Sequence, residues 1–166
     1  MTAFVSNAGL VLLAPYLPVL FKRLSITEGD LFVNQDTRVK ALLVIQYAIH
    51  GRTKFEEHEL PLNKVLVAAD IDISIPNVIE LTEDEKYVVD CMLMAVINNW
   101  DKMKNTSVDG LRESFLVREG KMEEHDDFYK LTVERKAYDV LLSTLPWSFN
   151  IIQLKWMKKA IHVKWM

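Results

Sequence analysis

Cysteine is nearly absent from this 166-residue chain: Cys91 is the single copy, so no internal disulfide can form. Lysine and arginine number 20 against 23 aspartates and glutamates, and this balance provides no overall polycationic surface for nucleic acid. Half of the residues are hydrophobic, which excludes a disordered tail. A chain of this length buries roughly 70% of its unfolded surface and needs no structural metal. We therefore predict a single globular domain over residues 1–166, with no cofactor.

Long hydrophobic runs are also lacking. The longest, Leu10–Phe21, is shorter than the ~20 residues of a membrane span and is interrupted by Pro15 and Pro18. No lysine or arginine precedes this run, and no small-residue cleavage pattern follows it. The sequence therefore predicts neither a membrane span nor a signal peptide, and we expect an intracellular protein.

Helical patterns dominate the first two thirds of the chain. Asp36 is a suitable N-cap and Gly51 a suitable stop for one long helix. Residues 39–49 within it are apolar on nearly every side, so this helix should be buried or should lend one face to another chain. Thr82 and Glu85 form a capping box for a second long helix.

Extended patterns dominate the last third. Two segments, Ser114–Glu119 and Phe128–Glu134, predict a β-hairpin around the charged stretch Gly120–Asp127. Two more strands are predicted over Ser148–Trp156 and Ala160–Trp165. The predicted fold class is α+β, with a helical first two thirds and a small antiparallel β-sheet in the C-terminal third.

The main candidate for metal chemistry is the cluster Glu56, Glu57, His58 and Glu59, with His50 eight residues before His58, because imidazole and carboxylate groups suit zinc or iron. Consecutive residues point in different directions, and no histidine pair occupies one helix face. This spacing is poor for a set of metal ligands. A metal-binding or hydrolytic domain that uses His58 with Glu57 and Glu59 is kept as the alternative function. His125, among carboxylates at a predicted hairpin tip, is a candidate general base but lacks a paired nucleophile.

The segment Asn105–Leu116 combines a helix cap at Thr106 or Ser107 with charged residues and apolar anchors. This composition is typical of a structural hinge. A catalytic loop that uses Asp109 and Arg112 is the alternative, although a cap accounts for the polar residues directly.

A basic tail begins at Trp147 and contains no acidic residue. Lysines interleaved with tryptophans suit either nucleic acid or an acidic surface. Lysines also commonly protect exposed strand edges, so we favour a solvated face and expect no nucleic-acid partner. The lysines are Lys155, Lys158, Lys159 and Lys164.

Six segments, in order along nearly the whole chain, carry a resemblance to one family. They are Asn7–Pro18, Glu57–Lys64, Lys104–Leu116, Asp139–Trp147, Leu154–Met157 and His162–Trp165. In these segments the sequence resembles the conserved C-terminal region of the tape measure proteins of contractile injection systems, the phage-tail-like particles that bacteria assemble.

The resemblance implies a non-enzymatic assembly protein: a docking domain of the tape measure that helps set tube length and attaches to tube or baseplate proteins. It also implies assembly in the cytoplasm, followed by a place in a released particle. The residues that it marks as structural are Asn7, Gly9, Pro15, Pro18, His58, Glu59, Leu62, Asn63, Lys64, Asn105, Thr106, Ser107, Asp109, Gly110, Arg112, Phe115, Pro146 and Trp147.

A physical ruler needs a long segment, at ~1.5 Å per helical residue, whereas the helices predicted here are short and interrupted by proline or glycine. We therefore expect the chain to be the C-terminal domain of a longer protein, or else a short family member that serves as an anchor or cap. For partner contact we select the Leu10–Phe21 segment and the tail with Trp156 and Trp165, because tryptophan and tyrosine are efficient interface anchors; core packing is the alternative for either.

Overall fold

The structure is a computed structural model that describes residues 1–166. The α-helices are α1 (Leu10–Leu13), α2 (Leu17–Arg23), α3 (Gln35–His50), α4 (Pro61–Leu66), α5 (Glu83–Asn98) and α6 (Val108–Leu111). The strands are β1 (Thr2–Val5), β2 (Thr27–Glu28), β3 (Leu31–Phe32), β4 (Gly120–Glu124), β5 (Phe128–Val133), β6 (Ile151–Ile152) and β7 (Ala160–Trp165). A π-helix over Arg112–Leu116 continues α6, and 3-10 helices span Ala14–Tyr16, Glu57–Glu59, Asp101–Met103 and Ala137–Thr144.

Local capping groups set the ends of the two longest helices. The Asn34 side chain accepts a hydrogen bond from the Thr37 backbone at 2.9 Å, so α3 is capped two residues before the predicted Asp36. Gly51 ends α3 at φ 69°, the left-handed conformation that glycine adopts without strain, as predicted. The capping box predicted at Thr82 is confirmed at the start of α5.

The middle of α3 is buried on every side. Each residue from Ala41 to Ile49 is buried, as the apolar pattern predicted. All of them except Gln46 belong to a core of 42 buried hydrophobic residues that also draws on the other helices and on the sheet. Because α4 and α5 both pack on α3, this helix is the centre of the molecule.

Three short helical segments have a proline in their first turn. Pro18 and Pro61 lie in the first turns of α2 and α4, where a proline without a backbone N–H is tolerated. Pro15 takes the same position in the 3-10 helix Ala14–Tyr16. The longest helices, α3 and α5, have 16 residues each. No helix in the chain combines the length and apolarity needed to cross a membrane.

The main sheet differs from the small antiparallel sheet predicted for the C-terminal third. Its five strands lie in the order β1, β4, β5, β7, β6, and β5 pairs with β7 in parallel, so the sheet is mixed. The parallel pair forms because residues 134–159 are long enough for a crossover. The first segment of the chain supplies β1, and a second sheet of β2 and β3 interrupts the predicted helical region. The predicted fold class was therefore wrong about both the kind of sheet and the helical first two thirds.

Strand β4 occupies residues that were predicted to be a charged connection. Gly120–Glu124 pairs with both β1 and β5, whereas the predicted strand Ser114–Glu119 overlaps the π-helix. Only Met122 of β4 is fully buried, because one face of this sheet is open to solvent. One buried side chain in five residues leaves little alternation for sequence reasoning to detect.

Gly9 allows the start of α1 to touch the end of the π-helix. Its backbone N–H donates to the Leu116 carbonyl at 3.2 Å, and the neighbouring Ala8 N–H donates to the Arg118 carbonyl at 2.9 Å. A Cβ on Gly9 would lie 2.0 Å from the carbonyl oxygen of Phe115. Only a residue without a side chain fits this backbone contact.

We predict that Gly9→Ala lowers the free energy of unfolding by at least about 3 kcal/mol, because backbone atoms on both sides must move apart. Urea denaturation followed by circular dichroism measures the change. Gly29→Ala is the control: Gly29 has φ +65° and no atom near its Cβ position, so it tests conformational strain alone. We expect Gly29→Ala to cost about 1 kcal/mol. Equal losses in the two variants would contradict the steric explanation.

Candidate functional site

Three buried amide side chains connect the segment before α1 to α3 and α4. Asn7 Nδ2 donates to Gln46 Oε1 and to Asn63 Oδ1, each at 2.7 Å. Asn63 Nδ2 donates to the Leu42 carbonyl at 2.9 Å and to Gln46 Oε1 at 3.1 Å. All three side chains are shielded from solvent. We call this group the amide network; it joins two of the segments that carry the family resemblance.

A third such segment packs on the C-terminal end of α3. Arg112 Nε donates to the Ala48 carbonyl at 3.0 Å, which satisfies one of the free carbonyls at the helix end. The guanidinium lies against Gly51, where a Cβ would come within 2.9 Å of it. Asp109 pairs with the same guanidinium at 3.2 Å, and its carboxylate is otherwise exposed. These contacts are those of a structural clamp.

The remaining polar residues of this segment shape its turn. Ser107 accepts a hydrogen bond from the Gly110 N–H at 3.0 Å and caps α6. Thr106 packs so closely that a Cβ on Gly110 would lie 2.8 Å from its methyl group. Asn105 is exposed, while Phe115 is buried with its ring 4.8 Å from that of Trp100.

The fourth segment reaches back to α1. Trp147 Nε1 donates to the Leu12 carbonyl at 2.9 Å, and its ring meets the Tyr16 ring edge to face at 5.1 Å. Pro146, which is exposed, stops the preceding 3-10 helix. Four distant segments of the sequence thus meet around α1 and α3.

The residues proposed as metal ligands are held apart. Glu57 pairs with Lys64 at 3.2 Å, and Glu59 pairs with Arg52 at 2.7 Å while capping the Glu56 backbone. His58 is 76% exposed. No group of three histidine, cysteine, aspartate or glutamate side chains in the chain is close enough to hold a metal ion. The geometry therefore does not support a metal site formed by Glu57, His58 and Glu59.

Two other residues of the segment Glu57–Lys64, Lys64 and Leu62, have structural roles. Lys64 is buried, and its ammonium donates to the Ile71 carbonyl at 2.8 Å as well as to Glu57. It lines a cavity of about 290 Å³ together with Tyr129 and Lys159. Leu62 is fully buried in the core. Glu124, which pairs with Lys159 at 3.0 Å, also lines the cavity.

Trp156 and Trp165, selected for partner contact, are both half-buried. Trp156 Nε1 donates to the Leu66 carbonyl at 2.7 Å, and its ring packs 5.6 Å from that of Phe21. The Trp165 ring lies 5.2 Å from the guanidinium of Arg118. Both therefore contribute to the core, and their contact with a partner stays a prediction.

Comparison with known protein families gives a match. The model of one family, described as contractile injection system tape measure protein, matches residues 1–165. The chain belongs to this family. No curated protein and no solved structure matched the chain. The tape measure family resemblance drawn from the sequence is thus confirmed, and four of the six segments that carry it meet around α1 and α3.

Sequence reasoning missed two buried polar groups of this tape measure family member. Gln46 is the one amide within the apolar run of α3, and a lone amide in such a run is a detectable signal. Arg118 and Asp139 form a bidentate ion pair, in which the two terminal guanidinium nitrogens donate to the two carboxylate oxygens at 2.8 and 2.9 Å. The two side chains are 0% and 4% exposed. No local pattern links these two residues, because 21 positions separate them.

We predict that Asn63→Ala lowers the free energy of unfolding by about 2–4 kcal/mol, because it removes the buried hydrogen bonds that Asn63 makes with Asn7, Gln46 and the Leu42 carbonyl. Chemical denaturation measures the loss. Asn150→Ala, at an exposed asparagine, should change stability by less than about 0.5 kcal/mol. In a double-mutant cycle, Asn7→Ala and Asn63→Ala should be coupled by about 0.5–3 kcal/mol. Additive effects would show that the two amides do not support each other.

We also predict a pH effect centred on His50. Burial lowers the pKa of His50, the nearby Arg52 and Arg112 cations lower it further, and Glu59 opposes them. A lowered pKa in the folded state means that the unfolded chain binds the proton more readily. His50 therefore contributes stability fully above its ordinary pKa of 6.5, and this contribution falls as pH drops below that value.

Denaturation at pH 7.5, 6.0 and 5.0 measures this effect. The parent protein should lose more stability between pH 7.5 and 5.0 than His50→Asn does, because the variant has no imidazole to protonate. An identical pH dependence in the two proteins would contradict a role for His50.

Proposed function

We propose that this chain is a non-enzymatic docking domain of the tape measure, which helps set tube length and attaches to tube or baseplate proteins. One observation carries the proposal: four of the six segments that carry the family resemblance converge on a buried centre around α1 and α3. An enzyme would be expected to direct such residues into a cleft with a nucleophile and a base. Family membership supports the structural role.

The dimensions of the helices support docking over measuring. The longest helices have 16 residues, which corresponds to about 24 Å at 1.5 Å per residue. A ruler for a long tube requires a longer element than these. We therefore propose that measurement belongs to other parts of a longer protein, and that this domain connects the ruler to its partners as a C-terminal domain.

The proposal can be tested by deletion in a particle-producing cell. We expect an in-frame deletion of residues 1–166 to abolish particles or to broaden the distribution of tube lengths, because the tape measure loses its attachment. Negative-stain electron microscopy of purified particles measures number and length. A plasmid copy of the unaltered gene should restore both.

Two variants test whether rescue of assembly depends on the intact fold of this domain. Gly9→Ala should fail to rescue assembly, since it disrupts the architectural centre, whereas Gly29→Ala should rescue it. Particles of normal number and length in the deletion strain would refute the proposed role.

A further inference from the structure

One face of the five-stranded sheet is not covered by any helix. The register places Phe4, Lys121 and Lys164 in one row across the strands. The adjacent row contains Glu123, Lys130, His162 and Ile151. Their neighbours along each strand, such as Met122, Leu131 and Ile161, point to the opposite face and are buried. We call the uncovered side the open face.

The open face is basic, although the chain as a whole has a net charge of -3. Lys121, Lys130 and Lys164 make no ion pair, and Glu123 is the one carboxylate among the outward residues of these rows. Strands are spaced by about 4.8 Å, so Lys121 and Lys164, two strands apart, lie about 10 Å from each other. Three unpaired ammonium groups can therefore reach one partner surface together.

Apolar side chains lie on both sides of these lysines. Phe4 on the edge strand β1 is 72% exposed, and Ile151 on the opposite edge strand β6 is 62% exposed. Between the edges, the Phe128 ring stacks on His162 at 4.5 Å and on His125 at 4.6 Å. Exposed apolar groups around unpaired charges are typical of a protein interaction surface.

Acidic residues limit the basic area at both ends of the β4–β5 hairpin. Glu119 and Glu134 are exposed at one end, and Asp126 and Asp127 are exposed at the hairpin turn. A nucleic acid carries charge along its whole length, so it would meet these carboxylates wherever it left the sheet. A local acidic patch on a protein can contact the lysines without meeting the carboxylates at the two ends of the hairpin.

We propose that the open face docks an acidic protein surface whose carboxylates pair with Lys121, Lys130 and Lys164, and whose apolar residues cover Phe4 and Ile151. This inference rests on the proposed function, because it specifies the chemistry of the particle protein that the docking domain binds. The lysines determine which partner is accepted and how fast it associates, and the flanking apolar groups hold it.

Site-specific photo-crosslinking tests the inference in assembling particles. We expect p-benzoylphenylalanine in place of Phe4 or of Ile151 to crosslink to a particle protein within a segment rich in aspartate and glutamate. The same probe in place of Tyr87, exposed on α5, is the control and should not give this product. Mass spectrometry identifies the crosslinked segment.

Charge reversal provides the decisive comparison. Lys121→Glu, Lys130→Glu and Lys164→Glu combined should reduce the crosslink at least tenfold. The matched control combines Lys22→Glu, Lys54→Glu and Lys102→Glu, which make the same change in net charge at exposed lysines without ion pairs elsewhere. Thermal denaturation checks that both triple variants fold. Equal crosslink yields from the two would overturn the inference.

Binding to defined probes distinguishes the two classes of polyanion. A fluorescent 20-residue glutamate peptide should bind the parent more tightly than the open-face triple variant, whereas a 20-nucleotide thymidine strand should bind both weakly and equally. Tighter, lysine-dependent binding of the DNA strand would overturn the proposal in favour of nucleic acid. Normal crosslinks in the open-face variant, together with assembly defects after deletion, would refute this inference and leave the proposed function intact. Lysine-dependent crosslinks to an acidic protein outside the particle would support the acidic docking surface and would refute the proposed function.

Discussion

Buried amides have no water with which to exchange hydrogen bonds, so Asn7, Gln46 and Asn63 depend on one another for partners. The Asn7 Oδ1 and Gln46 Nε2 atoms are buried without a partner. Their geometry is correct in only one arrangement of the segment before α1, the middle of α3 and the start of α4. Hydrophobic burial alone tolerates sliding between helices, whereas a hydrogen-bonded network does not. The amide network therefore selects one packing among the many that the apolar surface of α3 would accept.

The ion pair of Arg118 and Asp139 selects one packing arrangement in the C-terminal half of the chain. It joins Arg118, two residues before β4, to the 3-10 helix of the crossover, and Arg118 also donates to the Ser114 and Glu134 carbonyls. Buried ion pairs add little net stability, because desolvation offsets the attraction. Losing one partner is costly, however, so the pair penalises any other path of the crossover. We regard both polar groups as devices of specificity on a hydrophobic core.

Local interactions explain which parts of the fold were predictable. The capping box at Thr82, the stop at Gly51 and the buried run of α3 depend on neighbouring residues, and the sequence alone indicated them. The position of β4 was missed because a strand with one open face needs a single buried side chain, Met122. The parallel pairing of β5 and β7 depends on the path of the crossover. In the site, Asn7 and Asn63 were recognised by resemblance, while their mutual contact required the fold.

The parallel pairing of β7 also constrains the order in which the protein is completed. β7 lies inside the sheet, between β5 and β6, although it is the last strand along the chain. During synthesis, β5 therefore presents an unpaired edge until β7 has left the ribosome, and such edges are prone to pair with other chains. A cell that makes this protein must keep the nascent hairpin of β4 and β5 apart from its copies until translation supplies the missing neighbour.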